Sequence, residues 1–196
     1  MSKRNGTGRI KVAFDLDGCL VDFNMVLMRH LSDLVGRPLN DPQVFSLEEA
    51  FGIGELVVNR ALHLTYMDWK SVKEMEGANE LVTTLYKKTG NPILVITARP
   101  HFVATETHLL VQNAVMKGKV PYILIFAYGR DKGEYIRDYP FMVEDRLSTA
   151  RQLAKEGKTV FLMDAPYNRE GTLSKGIIRM SGIRDLIPLI PILTEE

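Results

Sequence analysis

Five short and continuously apolar segments constrain the fold of this chain more than any other feature of the sequence. Each is rich in β-branched or aromatic residues, and they cover residues 10–15, 93–97, 122–127, 141–144 and 159–164. Strands that are apolar throughout, rather than at alternate residues, are typical of a parallel sheet covered by helices on each side. The segments therefore predict five strands of a buried parallel sheet.

Helical patterns separate these predicted strands. A glycine follows closely after each of them, and they cover residues 78–88, 101–117 and 147–156. Glycine at that position is a common signal for the end of a helix. Strands that alternate with helices build βαβ units, so the sequence predicts an α/β fold with a doubly wound parallel sheet. In such a sheet, ligands bind at the carboxyl ends of the strands.

One long segment breaks the alternation directly after the first predicted strand. Helical patterns at residues 23–35, 47–51 and 55–69 are punctuated there by glycine and proline. We interpret residues 23–76 as a small helical cap over the end of the first strand, and a structural insertion without a further role is the alternative. The predicted organisation is a flexible N-terminus at residues 1–8, a core of residues 9–22 and 77–196, and the cap at 23–76.

Composition narrows the classes of function. The 196 residues, 45% of them hydrophobic, suit one core with a modest insertion. With 25 Lys and Arg against 24 Asp and Glu, the chain lacks the basic field that binding of duplex nucleic acid requires. The single cysteine, Cys19, excludes an intramolecular disulfide, and we expect a cytoplasmic location. No stretch is long and apolar enough to predict a membrane span.

Two carboxylates, Asp15 and Asp17, follow one another at the end of the first predicted strand, and Gly18 comes next. Carboxylates at the end of a buried strand are costly unless a cation or a substrate uses them. Gly18 allows the backbone to turn sharply. An ordinary Asp-Gly turn would have the same sequence, so the other strand ends decide between the two interpretations.

Polar side chains also follow the next three predicted strands. Thr97, Ala98 and Arg99 end the second strand and precede a helix, whose first N–H groups suit a phosphate. Lys132 follows the third strand, and the acidic pair Glu144 and Asp145 ends the fourth. Four such sets in one chain are unlikely to be coincidental, which favours a phosphate and metal site.

This order of motifs resembles that of the haloacid dehalogenase superfamily. Within it, the chain looks most similar to the 5′(3′)-deoxyribonucleotidases. Three segments carry the closer resemblance, and they cover residues 15–23, 144–146 and 161–169. The last contains Asp164, Pro166, Tyr167 and Asn168, a pattern that those enzymes carry after the fifth strand.

The resemblance implies catalysis with Mg²⁺ as the cofactor. Asp15 would attack phosphorus and form an aspartyl-phosphate, and Asp17 would carry the proton. Asp15, the backbone carbonyl of Asp17 and Asp145 would hold the metal. The choice between Glu144 and Asp145 as the direct ligand stays open, with Asp145 preferred.

The substrate expected from the resemblance is a small phosphomonoester, specifically a (deoxy)nucleoside monophosphate. Thr97, Ala98, Arg99 and Lys132 would bind its phosphate, while Phe23 and Trp69 would contact its base. The alternatives are a phosphosugar, a polynucleotide 3′-phosphate, a phospho-accepting signalling domain or a binding protein without activity. A homodimer is left open.

Overall fold

The structure is a computed structural model that describes residues 9–194. The predicted flexible N-terminus, residues 1–8, lies outside this range. Within residues 9–194 there are eight strands, which are β1 (Val12–Asp15), β2 (Val21–Asp22), β3 (Lys73–Glu74), β4 (Ile93–Thr97), β5 (Tyr122–Phe126), β6 (Phe141–Glu144), β7 (Thr159–Met163) and β8 (Ile177–Met180).

The described part of the chain also contains seven α-helices, which are α1 (Phe23–Val35), α2 (Leu47–Phe51), α3 (Glu55–Met67), α4 (Ala78–Thr89), α5 (Ala104–Leu110), α6 (Leu147–Lys155) and α7 (Ile190–Leu193). Short 3₁₀ segments lie at His101–Val103, Lys132–Tyr135, Pro166–Asn168 and Ile183–Leu189, and a π-helical turn at Val111–Val115 continues α5. Across residues 9–194, none of the helices combines the length and the apolar character needed to cross a bilayer.

Six strands form one parallel sheet in the order β5–β4–β1–β6–β7–β8. Strand β1 lies near its middle, where Asp15 is in register with Ile96 of β4 and Phe14 with Val143 of β6. Apolar clusters cover both faces of the sheet, with Phe14 in one cluster and the neighbouring Ala13 in the other. This parallel sheet, covered on both faces, confirms the predicted doubly wound α/β fold. Strands that are buried on both faces are apolar rather than alternating, which is why the sequence could predict them.

The helical insertion leaves the core and returns to it at one place. Strands β2 and β3 pair antiparallel, so that Val21 faces Glu74 and Asp22 faces Lys73. The Asp22 side chain caps α1 by accepting a hydrogen bond from the Met25 N–H at 3.2 Å. Helices α1 and α3 then pack against each other. The insertion is thereby joined to the core a few residues beyond Asp15.

The structure differs from the sequence prediction in its short strands, in the helix predicted over 101–117 and at the end of α3. Strand β8 was not predicted, because it is short and its Ile178 is 47% exposed, so it lacks a continuous apolar pattern. The β2–β3 pair was also missed, since strands of two residues leave no periodicity. The helix predicted over 101–117 is divided into a 3₁₀ turn, α5 and a π-helical turn.

Candidate active site

Three carboxylates meet at the carboxyl end of the sheet. Asp15 is the last residue of β1, Glu144 is the last residue of β6, and Asp145 follows it. The residues are 7%, 1% and 8% exposed, respectively. The pairing of β1 with β6 brings them together, as expected from the common edge at which parallel strands end.

Lys132 is the cation that lies among these carboxylates. Its Nζ is 2.7 Å from Asp15 Oδ2 and 2.7 Å from Glu144 Oε2. Burial alone would lower the pKa of Lys132, but Asp15 and Glu144 outweigh burial and raise the pKa above its ordinary value. Lys132 therefore stays charged, and its contacts join three of the four predicted strand-end motifs, its own included.

One lysine does not balance three buried carboxylates. Burial and the Glu144 carboxylate raise the pKa of Asp15 well above its ordinary value, and the same causes raise the pKa of Asp145 to about 8. Potential ligand atoms of Asp15, Cys19 and Asp145 all lie within 4.8 Å of one another. Carboxylate oxygens are what Mg²⁺ prefers, whereas a thiol suits softer metals. Asp15 and Asp145 therefore fit a hard divalent cation, with Cys19 as a neighbour.

Glu144 and Asp145 have different partners. Glu144 Oε2 accepts from Lys132, and Glu144 Oε1 accepts from the backbone N–H groups of Asp145 at 3.2 Å and Arg146 at 3.0 Å. Both oxygens of Glu144 are thus engaged by the protein. One oxygen of Asp145 accepts from the Tyr167 hydroxyl, and Asp145 and Asp15 have potential ligand atoms within 4.8 Å of each other, so Asp145 stays the preferred metal ligand.

Gly18 leaves room for this arrangement. A Cβ atom at Gly18 would collide with the Asp145 carboxylate, and the φ angle of Gly18 is +73°. An L-residue with a side chain rarely adopts that backbone conformation. Glycine at position 18 is therefore required for two reasons, the backbone turn and the close approach of the Asp145 carboxylate.

Tyr167 and Asn168, for which the sequence predicts no individual role, form hydrogen bonds with Asp145. The Tyr167 hydroxyl donates a hydrogen bond to the Asp145 carboxylate, and burial together with Asp145 raises the pKa of Tyr167. Asn168 Nδ2 donates to the backbone oxygens of Asp145 and Met163, both at 2.7 Å. Both residues belong to the segment that begins at Asp164, whose resemblance to the deoxyribonucleotidase pattern was the available sequence signal for them.

Arg99 points to a carboxylate rather than to open space. Its Nε donates to Asp17 Oδ2 at 2.9 Å and its Nη2 donates to Asp17 Oδ1 at 2.7 Å. Arg99 is 2% exposed, while the Asp17 side chain is 28% exposed. In this structure the fork of Arg99 is occupied by Asp17, and phosphate binding by Arg99 stays a prediction.

The other two residues of this motif behave differently from each other. Thr97 is fully buried, and its hydroxyl accepts a hydrogen bond from the Arg99 N–H at 3.2 Å. Ala98 lines the cavity described next. Phosphate binding by Thr97 and Ala98 stays a prediction.

A cavity of about 480 Å³ separates the carboxylates from the helical insertion. Its core side includes Asp15, Asp17, Lys132, Glu144 and Asp145. The residues that line it from the insertion are a mixture of apolar and polar side chains, namely Phe23, Asn24, Leu27, Pro42, Phe45, Ser46, Leu47, Glu48, Val58, Asn59, Leu62 and Tyr66.

Four aromatic side chains line the cavity. They are Phe23, Phe45, Tyr66 and Tyr167, and contact between Phe23 and a base stays a prediction. Trp69 does not line it, because it lies beyond the end of α3 and packs against the apolar core, with the Lys70 ammonium 5.7 Å from its ring. Contact between Trp69 and a base stays a prediction, and Trp69 lies outside the set of residues that line this cavity. Phe45 was missed because it lies in an irregular loop before α2, where the sequence shows no periodicity.

The fold is similar to that of solved haloacid dehalogenase-type hydrolases. CbbY from Rhodobacter sphaeroides, in complex with phosphate, is 14% identical with a TM-score of 0.62, covering 91% of this chain and 97% of that chain. A hydrolase of this type from Deinococcus radiodurans, with bound phosphate and sodium, is 13% identical with a TM-score of 0.63, covering 94% and 96%. A subfamily IA, variant 1 hydrolase from Geobacter sulfurreducens is 18% identical with a TM-score of 0.59, covering 95% and 99%.

These similarities show that the chain has the fold of the haloacid dehalogenase-type hydrolases. No protein-family model and no curated protein matches the sequence. The finer resemblance to deoxyribonucleotidases therefore stays a prediction.

Proposed function

We propose that this protein is a magnesium-dependent phosphomonoesterase in which Asp15 is the nucleophile. One observation carries the proposal: Asp15 and Asp145 lie together in a buried site with Lys132 only 2.7 Å from Asp15. The fold, in which solved hydrolases hold phosphate, supports it. A binding protein without activity would have no need to keep three buried carboxylates together at this cost.

The chain's own groups supply the chemistry of the first step. Asp15 attacks phosphorus and displaces the alcohol, forming an aspartyl-phosphate. Its Oδ1 accepts a hydrogen bond from the Leu16 N–H at 2.8 Å and its Oδ2 accepts from Lys132, which together fix the carboxylate. Lys132 adds a positive charge where the transferring oxygens gather. Mg²⁺, held by Asp15, Asp145 and the Asp17 carbonyl, would offset the repulsion between the carboxylate and the phosphate dianion.

Asp17 completes the reaction. In the first step it donates a proton to the leaving alcohol, and in the second it takes a proton from the water that hydrolyses the aspartyl-phosphate. Its partly exposed carboxylate lines the cavity, which supports access to both groups.

The substrate that we propose is a (deoxy)nucleoside monophosphate. A cavity of about 480 Å³ admits a small molecule rather than a duplex, and Phe23, Phe45 and Tyr66 offer aromatic surface for a base. A phosphosugar is the second candidate, because CbbY, which has a similar fold, was solved with xylulose-1,5-bisphosphate. Turnover of nucleoside monophosphates, sugar phosphates and 3′-phosphorylated oligonucleotides, measured side by side, distinguishes the candidates.

Asp17→Asn tests the mechanism. The change keeps the shape of the side chain and removes proton exchange, so hydrolysis of a nucleoside 5′-phosphate should slow by about 10²–10⁴-fold. Nitrophenyl phosphate has a leaving group that needs no proton, so Asp15 should still be phosphorylated. The variant should release a burst of about one nitrophenol per active site and then stall.

Rapid mixing and mass spectrometry of the quenched protein measure the burst and the phosphate on Asp15. Asp15→Asn is the control and should show neither. Steady turnover of nitrophenyl phosphate by Asp17→Asn, without a burst, would remove Asp17 from this role.

A further inference from the structure

Arg99 is one of the most completely buried side chains among residues 9–194, although it carries a charge. A buried guanidinium is costly unless its donors are used, and here two of them form the fork with Asp17. A third, on Nη1, lies 3.5 Å from the Thr107 hydroxyl. Thr107 in turn donates to the Val103 carbonyl at 2.8 Å, so this contact anchors Arg99 to α5.

Two aromatic rings of the helical insertion hold the same guanidinium. Its central carbon lies 4.9 Å from the centroid of the Phe23 ring and 5.1 Å from that of the Tyr66 ring. The two rings are 5.4 Å apart and tilted by 31°. Phe23 begins α1 and Tyr66 belongs to the last turn of α3. Arg99 therefore contacts the first residue of α1 and the last turn of α3.

We infer that Arg99 is a positioning residue that makes the orientation of Asp17 depend on the position of the helical insertion. This inference rests on the proposed function. A bidentate fork fixes the plane of a carboxylate in a way that a single hydrogen bond does not. The fork is itself held by Phe23 and Tyr66, because an arginine guanidinium favours the faces of aromatic rings. Displacement of α1 and α3 would release Arg99 and, with it, Asp17.

The inference predicts a loss that depends on the leaving group. Arg99→Met keeps the length of the side chain but removes the fork, so Asp17 would no longer be held for proton donation. Transfer of phosphate from an alkyl phosphate to Asp15 needs that proton, so the rate of this first step should fall at least about tenfold more than the first-step rate with nitrophenyl phosphate. Arg99→Lys keeps the charge without the fork and should show the same selective loss in part.

Arg146→Met is the matched control. Arg146 lines the same cavity and lies 4.3 Å from the Phe45 ring centroid, yet it forms no ion pair with another residue in the range 9–194. The ratio of the two rates should stay as in the wild type. Tyr66→Leu should shift the ratio in the same direction as Arg99→Met, whereas Tyr66→Phe, which keeps the ring, should not.

Single-turnover rates of alcohol release from both substrates, which report the first step alone, and urea unfolding midpoints for every variant provide the test. Equal losses on both substrates in Arg99→Met would overturn the inference, since damage to the fold does not depend on the leaving group. A selective loss with Arg99→Met but an unchanged ratio with Tyr66→Leu would overturn the link to the insertion.

Failure of the proposed function gives a different result. The wild type would then show no turnover and no phosphate on Asp15. The contact between Arg99 and Tyr66 is still tested by unfolding, because the effects of Arg99→Met and Tyr66→Leu on the midpoint should be non-additive in the double variant. Additive effects would overturn the inference in that case as well.

Discussion

Two adjacent acids, Glu144 and Asp145, show how contacts give similar side chains different tasks. Burial opposes the ionisation of Glu144, but Lys132 outweighs burial and lowers its pKa. Glu144 is therefore a stable anion that holds Lys132 and the backbone that follows β6. Asp145 lies next to Asp15 without a cation of its own, and its pKa is raised to about 8. Glu144 fixes Lys132 and the backbone after β6, whereas a bound metal would stabilise the ionised form of Asp145.

This difference predicts unequal effects of two conservative substitutions. Glu144→Gln disturbs the support of the site and should raise the half-saturating Mg²⁺ concentration by about tenfold. Asp145→Asn removes a direct ligand and should raise that concentration further. Titration of the initial rate against Mg²⁺ measures both. A larger shift for Glu144→Gln would show that the two assignments are reversed.

The meeting of Asp15, Lys132 and the acidic pair could be predicted from sequence, because parallel strands present their carboxyl ends at one edge. The contacts of Arg99 with Asp17 and of Tyr167 with Asp145 could not. Both depend on the paths of loops after strand ends, and a long side chain in a loop can point to a ligand or to a neighbour. Sequence identifies the residues at this edge, while loop geometry decides their partners.

At the scale of elements, the strands covered on both faces were predictable and the short pairings were not. Strand β1 contains Val12, Ala13 and Phe14 with no exposed surface, so its sequence is apolar up to Asp15 at its end. The β2–β3 pair depends instead on contacts between residues far apart in sequence. That pair gives the insertion its position, and the position decides which of its aromatic residues reach the cavity. Trp69 lies two residues beyond the last residue of α3, although the sequence predicts that this helix continues to residue 69.

The insertion should therefore determine substrate choice through Phe45 rather than Trp69. Phe45 is 50% exposed and lines the cavity, so Phe45→Ala should cost little stability. Stacking contributes about 1–3 kcal/mol per base, which predicts a loss of about tenfold for a nucleoside monophosphate relative to glycerol phosphate. Both substrates release an alcohol, so the comparison isolates the base.

Values of kcat/KM for the two substrates provide the measurement. Trp69→Ala is the matched control, and any loss it causes should be equal on both. A selective loss with Trp69→Ala, and none with Phe45→Ala, would contradict the cavity as the base site.

At the scale of the whole molecule, the fold carries an electrostatic imbalance close to its centre. Apolar clusters pack against both faces of the sheet, and three acids with a single lysine lie at the end of its central strands. Among residues 9–194, every buried side-chain nitrogen and oxygen has a hydrogen-bond partner, so the imbalance is one of charge rather than of hydrogen bonding. A divalent cation would relieve it in the folded state, whereas the unfolded chain holds no such site.

Mg²⁺ should therefore raise the thermal stability of the protein even when no substrate is present. At a free concentration of about 100 times Kd, a ligand of the folded state contributes about 2.7 kcal/mol. For a chain of this size, that corresponds to a rise in Tm of about 5–10 °C. Differential scanning fluorimetry in Mg²⁺, against Na⁺ at equal ionic strength, measures the rise without reference to activity. Asp145→Asn should abolish most of it, whereas Glu48→Gln, which alters an acid on the opposite wall of the same cavity, should retain it. An equal rise in wild type and Asp145→Asn would place the bound metal away from Asp145, and no rise in wild type would contradict the metal site itself.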